Sequence, residues 1–225
     1  MKGRENLMQI YRAMLAEYGC QGWWPVINSK TLLCEYHAGA PRNNADKFEI
    51  CAGAVLTQNT AWANVQKALI NLKRIGALSP KKILSLKRET LLAAVRPCGY
   101  FNQKSKKLVR FSEFYLSLRG RTPTREELLS VWGVGKETAD SMLLYAYSVP
   151  VFVVDAYTRR IFSRLGLVRE KEEYDTIRKF FEKNLEKDAK LFQEFHALIV
   201  EHAKRHCAKK PECSGCPFSK FCRRN

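Results

Sequence analysis

Apolar residues recur at i, i+3 or i+4 and i+7 along most of the chain, the spacing that lays a hydrophobic stripe down one side of a helix. The pattern runs through MQIYRAMLAEYG (8–19), FEICAGAVLTQ (48–58), WANVQKALINLK (62–73), KKILSL (81–86), ETLLAAV (89–95), KSKKLVRFSEFYLSL (104–118), REELLSVW (125–132), KETADSMLLYAYS (136–148), TRRIFSRLGL (158–167), EYDTIRKFFEKNL (173–185) and AKLFQEFHALIVEHAKRH (189–206). Breakers separate the runs: Gly22 and Pro25, Pro41 with Asn43 and Asn44, Ser79 and Pro80, Pro97 with Gly99, Gly120 to Pro123, Gly133 with Gly135, and Pro150. Only VPVFVV (149–154) is strand-like, and it reads equally well as an extended link or a lead-in to a helix. No unit repeats at a solenoid period. The expected fold class is all-α.

A chain of 225 residues suffices for one large domain or two modest ones. With 46% hydrophobic and 27% charged residues, it is not a mostly disordered, collagen-like or low-complexity chain. No apolar run approaches the length of a membrane span, and the MKGRENLMQI start lacks the apolar core of a secretory signal. A cytoplasmic protein with no membrane partner is therefore expected. Charge changes the picture more. The net +17 is concentrated: residues 71–125 hold 14 basic and 2 acidic residues, and residues 201–225 hold 7 and 2, while the rest is near neutral. A merely solvated surface intersperses the two signs, so two one-signed blocks point to a polyanion.

Half of the eight cysteines fall at the end, as C-x5-C-x2-C-x5-C over Cys207, Cys213, Cys216 and Cys222. Cys20, Cys34, Cys51 and Cys98 are scattered among apolar neighbours and read as small buried hydrophobes in a reducing compartment. Four closely spaced thiolates in an intracellular chain indicate a metal centre rather than a disulfide framework. The spacing does not separate zinc from an iron–sulfur cluster. Pro211, Gly215 and Pro217 forbid a regular helix, so the segment wraps as a loop, with Lys204, Arg205, Lys209, Lys210, Lys220, Arg223 and Arg224 facing outwards.

In REELLSVWGVGKETADSMLLYA (125–146), two apolar-faced helices meet at Gly133-Val134-Gly135. The glycines permit positive φ and close approach of another backbone, Val134 tucks into the core, and Lys136 adds charge beside the second helix's unpaired N–H groups. An anion site is the functional reading; a plain turn is the bland one.

These landmarks resemble the endonuclease III superfamily of helix-hairpin-helix DNA glycosylases. The resemblance runs from about residue 48 to 222, through AVLTQNTAWANVQKAL (54–69), GYFNQKSKKL (99–108), VWGVGKETAD (131–140) with VVDAYTRR (153–160), and the terminal cysteines. It implies two helical domains with a DNA-receiving groove between them. Residues 1–30 plus 149–225 form a discontinuous domain carrying the cluster loop at 207–222. Residues 31–148 form a helical barrel domain ending in the hairpin at 126–147. It also implies a 4Fe-4S cluster, with zinc as the minor alternative, although the first cysteine spacing is x5 where the bacterial endonuclease has x6. The implied partner is double-stranded DNA containing a damaged base, bound by a nucleoid-associated monomer.

By the same resemblance Asp155 is the essential carboxylate after the hairpin. A carboxylate near C1' stabilises the oxocarbenium-like state of glycosidic cleavage or orients the attacking water; an N-cap for the following helix is the structural alternative. Members that also cut the backbone carry a Lys where this chain has Glu137. Glutamate cannot form a Schiff base, so a monofunctional enzyme is expected. QGWWP (21–25) together with Glu137 is similar to the 3-methyladenine glycosylase branch, which implies a base pocket of Trp23, Trp24, Pro25, Glu137 and Asp155, with Phe48 as the matching phenylalanine. Members of that branch without the metal loop place a lysine where this chain offers Leu198. Gln58 is expected in the gap left by the flipped base, and Lys104, with Lys106 and Lys107, beside phosphate. His196 and His202 read as packing or capping residues. The expected function is hydrolysis of the N-glycosidic bond of alkylated purines such as 3-methyladenine in base excision repair. The alternatives are a mismatch glycosylase removing thymine or uracil opposite guanine, since LTQNTAWANV resembles that branch too, and a non-catalytic damaged-DNA binding module.

Overall fold

The computed structural model describes residues 2–37 and 39–222. Its elements are almost all helical: α1 (Lys2–Tyr18), α2 (Asn44–Leu56), α3 (Trp62–Arg74), α4 (Pro80–Ser85), α5 (Arg88–Val95), α6 (Phe101–Ser117), α7 (Arg125–Ser130), α8 (Lys136–Ser141), α9 (Ala156–Arg164), α10 (Tyr174–Asn184) and α11 (Ala189–Arg205). The fold is all-α, as the periodicity requires. Among the described residues no helix is long and apolar enough to cross a membrane. The helix starts follow local chemistry. Asn43 caps α2 by accepting from the Asp46 N–H at 2.9 Å, Pro80 opens α4 behind the Ser79 cap, and Thr124 and Glu127 form a reciprocal capping box on α7.

The chain divides into two compact units, residues 1–23 with 149–225, and residues 24–148. The crossover thus lies between Trp23 and Trp24 rather than after residue 30. Residues 24–30 join the second unit because β1 (Val26–Ile27) pairs antiparallel with β2 (Cys34–Glu35), and because the Ile27 N–H donates to Glu49 Oε1 of α2 at 2.5 Å. This two-residue hairpin lies below the length at which alternation carries a signal.

Within the second unit α2 is central. Its residues Phe48 to Leu56 are all buried, which explains why FEICAGAVL is apolar on every side. It packs against α6, α3 and a π-helical turn, Met142–Ala146, that continues α8. The single helix expected over 136–148 therefore changes winding midway, where five consecutive buried side chains follow one another.

Within the first unit, α1 and α9 both pack on α11. Its core is aromatic: Phe152 stacks on Phe181 with ring centroids 4.0 Å apart, and Phe162, Phe192 and Phe195 close around them. VPVFVV is an extended link, not a strand. Its backbone is satisfied by side chains, with Phe152 N–H donating to Glu182 Oε1 at 3.1 Å and Val154 N–H to the Tyr174 hydroxyl at 3.4 Å.

Candidate functional site

In the second unit the chain from α7 to α8 makes the hairpin. Arg125 of α7 grips the fully buried Asp140 of α8 through two bonds, 2.6 and 3.1 Å, fixing the pair of helices. Gly133 has φ +86, which strains any other residue, and a Cβ there would lie 2.6 Å from Lys107 Cγ, so the lysine would have to move. Val134 is 8% exposed and sits in the core as expected. Gly135 differs from expectation. Its φ is −96, nothing lies within 4 Å of where its Cβ would be, and it caps α8 with no side-chain bond. Its smallness allows close approach to the backbone at the start of α8. Lys136 and Glu137 are both exposed on that first turn.

Gln58 ends up as a brace for this hairpin. Its amide N–H donates to Gly133 O at 2.9 Å and Thr138 Oγ1 at 3.0 Å, while its oxygen accepts from Lys107 Nζ. Insertion into DNA requires releasing these bonds. Lys104 corrects the expectation of a phosphate neighbour: it is 2% exposed, and its ammonium donates to Leu56 O and Cys98 O, each at 2.8 Å, and to Thr60 Oγ1. Burial lowers its pKa. Leu56 O at the end of α2 accepts from Lys104, and Cys98 O at the turn before α6 accepts from Lys104 and from Thr60 Oγ1. Two aromatics that the periodicity did not single out stand open instead. Tyr100 is 75% exposed with φ +45, and Trp132 is 47% exposed with Lys106 Nζ 4.6 Å from its ring centroid. The available signal was their position inside or beside the basic block.

The double tryptophan splits. Trp24 is 6% exposed, edge-on to Trp62 with centroids 5.5 Å apart and tilted on Tyr145 at 5.2 Å, against a space that Gly53 leaves open. Pro25 is buried beside it. Phe48 is 1% exposed and packs on Phe111 and Tyr115 of α6. Phe48 is thus a core residue rather than a pocket residue, because α2 turns that side of itself to α6. Trp24 and Pro25 likewise present no open face.

Trp23, half-buried, belongs to the first unit, and there the structure gathers three groups. Asp155 caps α9, its Oδ1 accepting from Thr158 N–H at 2.7 Å and Thr158 Oγ1 at 2.8 Å. His196 of α11 brings Nε2 to 3.5 Å from Asp155 Oδ2, and its ring meets Trp23 edge-to-face at 6.1 Å. Burial alone would raise the Asp155 pKa, but His196 and the two Thr158 donors outweigh it and hold the carboxyl below its ordinary value. Asp155 is thus the N-cap of α9 through one oxygen, while its other oxygen faces His196. His196 is 4% exposed and lies at the site, which its position mid-helix did not reveal. His202 does pack, against Phe218 and with Nδ1 2.8 Å from the Tyr18 hydroxyl; burial pushes its pKa down to about 4. Leu198 is fully buried in α11.

The other half of α9 holds the cysteine loop. Arg160 donates to Cys207 O at 2.7 Å, and Arg164 donates to Cys207 Sγ at 3.0 Å and Ala208 O at 2.8 Å. Cys207, Cys213, Cys216 and Cys222 line one cavity with Ile161, Leu165 and Phe218. Burial and the other three sulfurs push the Cys216 thiol up, so the four share one field. Among the described residues no three Cys, His, Asp or Glu side chains close around a single metal ion. Lys209, Lys210 and Lys220 lie exposed on this loop; Arg223 and Arg224 fall outside the described residues.

Residues 52–187 match the HhH-GPD superfamily of base excision DNA repair proteins. The chain belongs to that family. A protein of Methanocaldococcus jannaschii, provisionally named a DNA repair glycosylase, is 44% identical over 97% of this chain and 96% of its own length. Endonuclease III of Thermotoga maritima is 30% identical over 81% of this chain and 86% of its own. Among solved structures, the 3-methyladenine DNA glycosylase of Helicobacter pylori bound to 1,N6-ethenoadenine superposes with a TM-score of 0.69 at 32% identity, covering 90% of this chain and 97% of that one. As an HhH-GPD protein the chain is a DNA glycosylase of base excision repair, and its hairpin is the helix-hairpin-helix after which the family is named.

Proposed function

We propose that the protein is a monofunctional DNA glycosylase that hydrolyses the N-glycosidic bond of alkylated purines such as 3-methyladenine and leaves an intact abasic site in double-stranded DNA. The observation that carries the reading is the grouping of Trp23, His196 and Asp155: an indole and a carboxylate held below its ordinary pKa, each meeting the same imidazole. An N3- or N7-alkylated purine is a cation and gains from an electron-rich ring. Lys204, whose Nζ lies 5.8 Å from the Trp23 centroid, supports the view that this face accepts positive charge. Such a base departs neutral, so little general-acid help is needed. The ionised Asp155 then stabilises the oxocarbenium-like sugar or orients water for attack at C1'. The likeness to the Helicobacter enzyme favours the same substrate class.

Glu137, exposed on the first turn of α8, takes the place where a lysine would serve as amine nucleophile. A carboxylate forms no Schiff base, and hydrolysis stops at the abasic site. The backbone at the start of α8, approachable past Gly135, supplies phosphate contacts together with the exposed Lys136. The cysteine loop fits a 4Fe-4S cluster, since four thiols line one cavity with apolar side chains and with Arg164. When bound, the cluster supplies structure, pinning the loop against α9.

The test is incubation with methylated genomic DNA and chromatography of the released bases. Free 3-methyladenine or 7-methylguanine is the expected product. Release of uracil or thymine alone, from mismatched duplexes, overturns the substrate reading, and no release of any base favours a binding module.

A further inference from the structure

We propose that His196 is the positioning residue of this site, its imidazole holding the Asp155 carboxylate and the Trp23 indole in one fixed relation. The inference rests on the reading of Asp155 as the reacting carboxylate and Trp23 as the stacking ring. Both capping bonds from Thr158 go to Oδ1, at 2.7 and 2.8 Å, so the cap fixes one oxygen and leaves the other to the chemistry. Oδ2 faces His196 Nε2 at 3.5 Å. Thr158 on its own helix and His196 on α11 are the groups that face the carboxylate. The imidazole cannot swing to solvent, since its side chain is 6% exposed, and the far contact of its ring is the edge-to-face meeting with Trp23. A distance of 3.5 Å is long for a hydrogen bond and suits a contact that tightens in the DNA complex. One rigid ring thereby sets the distance from the stacked base to the oxygen that must reach C1'. The logic is that of a reacting group oriented by a third residue.

Three substitutions separate positioning from packing. His196→Phe keeps the ring and its contact with Trp23 but donates nothing. His196→Asn donates from too short a stem, and His196→Gln places an amide N–H where Nε2 stands. Single-turnover excision from methylated duplex DNA should fall about tenfold or more in the Phe and Asn variants, return in large part in the Gln variant, and leave affinity for an abasic-site duplex unchanged in all three. Carbon-13 NMR should show the Asp155 carboxyl titrating at higher pH in the Phe and Asn variants and returning towards wild type in the Gln variant. Wild-type excision with an unmoved Asp155 titration in the Phe and Asn variants overturns the inference, as does an equal loss in all three, which marks a packing role. If the wild type releases no alkylated base yet the Asp155 titration moves as stated, the inference stands and the substrate reading falls.

Discussion

Asp155 carries two jobs that ordinary substitutions confound. Asn caps a helix as well as Asp does, so Asp155→Asn should keep the cap and abasic-site affinity while abolishing excision. Asp155→Ala should lose excision and also about 1 kcal/mol of stability. Retained excision in Asp155→Asn contradicts the catalytic role. The carboxyl's folded pKa lies below its ordinary 3.8, so its contribution to stability is present above that value and lost as pH falls through the folded one. Lys104 is the complementary case. Reading it from charge alone placed it on DNA, but its ammonium completes carbonyls at the end of α2 and ahead of α6. Lys104→Met should cost about 1–3 kcal/mol by taking the ammonium donor away from Leu56 O, measured by denaturant unfolding. It should leave the salt dependence of DNA binding unchanged, whereas Lys136→Ala should reduce the slope of log K against log salt by about one. A basic residue's sequence block reveals its charge, not its direction, and only the packing of α6 distinguishes Lys104 from Lys106.

At the scale of elements, the sequence pattern located every long helix, because each carries an apolar stripe and a cap or breaker. It missed what has no period: the β1–β2 hairpin of two-residue strands, the π-helical turn after α8, and the neighbourhood of His196, which is set by α9 and α11 packing far apart in sequence. Type and motif point Trp24 and Phe48 to a pocket, whereas in the structure both rings pack in the core of the second unit. The hairpin itself was read correctly, down to Val134, except that Gly135 is small for access and Gly133 alone for positive φ. Gly133→Ala should therefore destabilise the fold by about 1–2 kcal/mol from backbone strain, with a further clash against Lys107, and weaken DNA binding. Gly135→Ala should spare stability and weaken binding only; the reverse pattern, seen by calorimetry and fluorescence titration, contradicts this assignment. α9 joins the two functional ends of its unit, with Asp155 at its start and Arg160 and Arg164 on the cysteine loop. Cys213→Ser should lose the broad visible absorption of an iron–sulfur centre and lower excision by loosening α9. A colourless wild type holding stoichiometric zinc contradicts the cluster.

For the whole molecule, the net +17 says polyanion and no more. Membership in the HhH-GPD family makes that polyanion DNA and the protein a glycosylase, and the surplus of charge in residues 71–125 and 201–225 puts basic residues in each of the two units. The proposed chemistry is local: an indole and a carboxylate that both meet His196, and Glu137 in the place where strand cleavage would need an amine. The most direct test is therefore an end-labelled, methylated DNA duplex incubated with the protein and resolved on a denaturing gel, with and without an added abasic-site endonuclease, and with borohydride present in a parallel lane. The account predicts breaks at purines only where the second enzyme is added, and no protein trapped on DNA. Breaks in its absence, or a borohydride-trapped adduct, would contradict it.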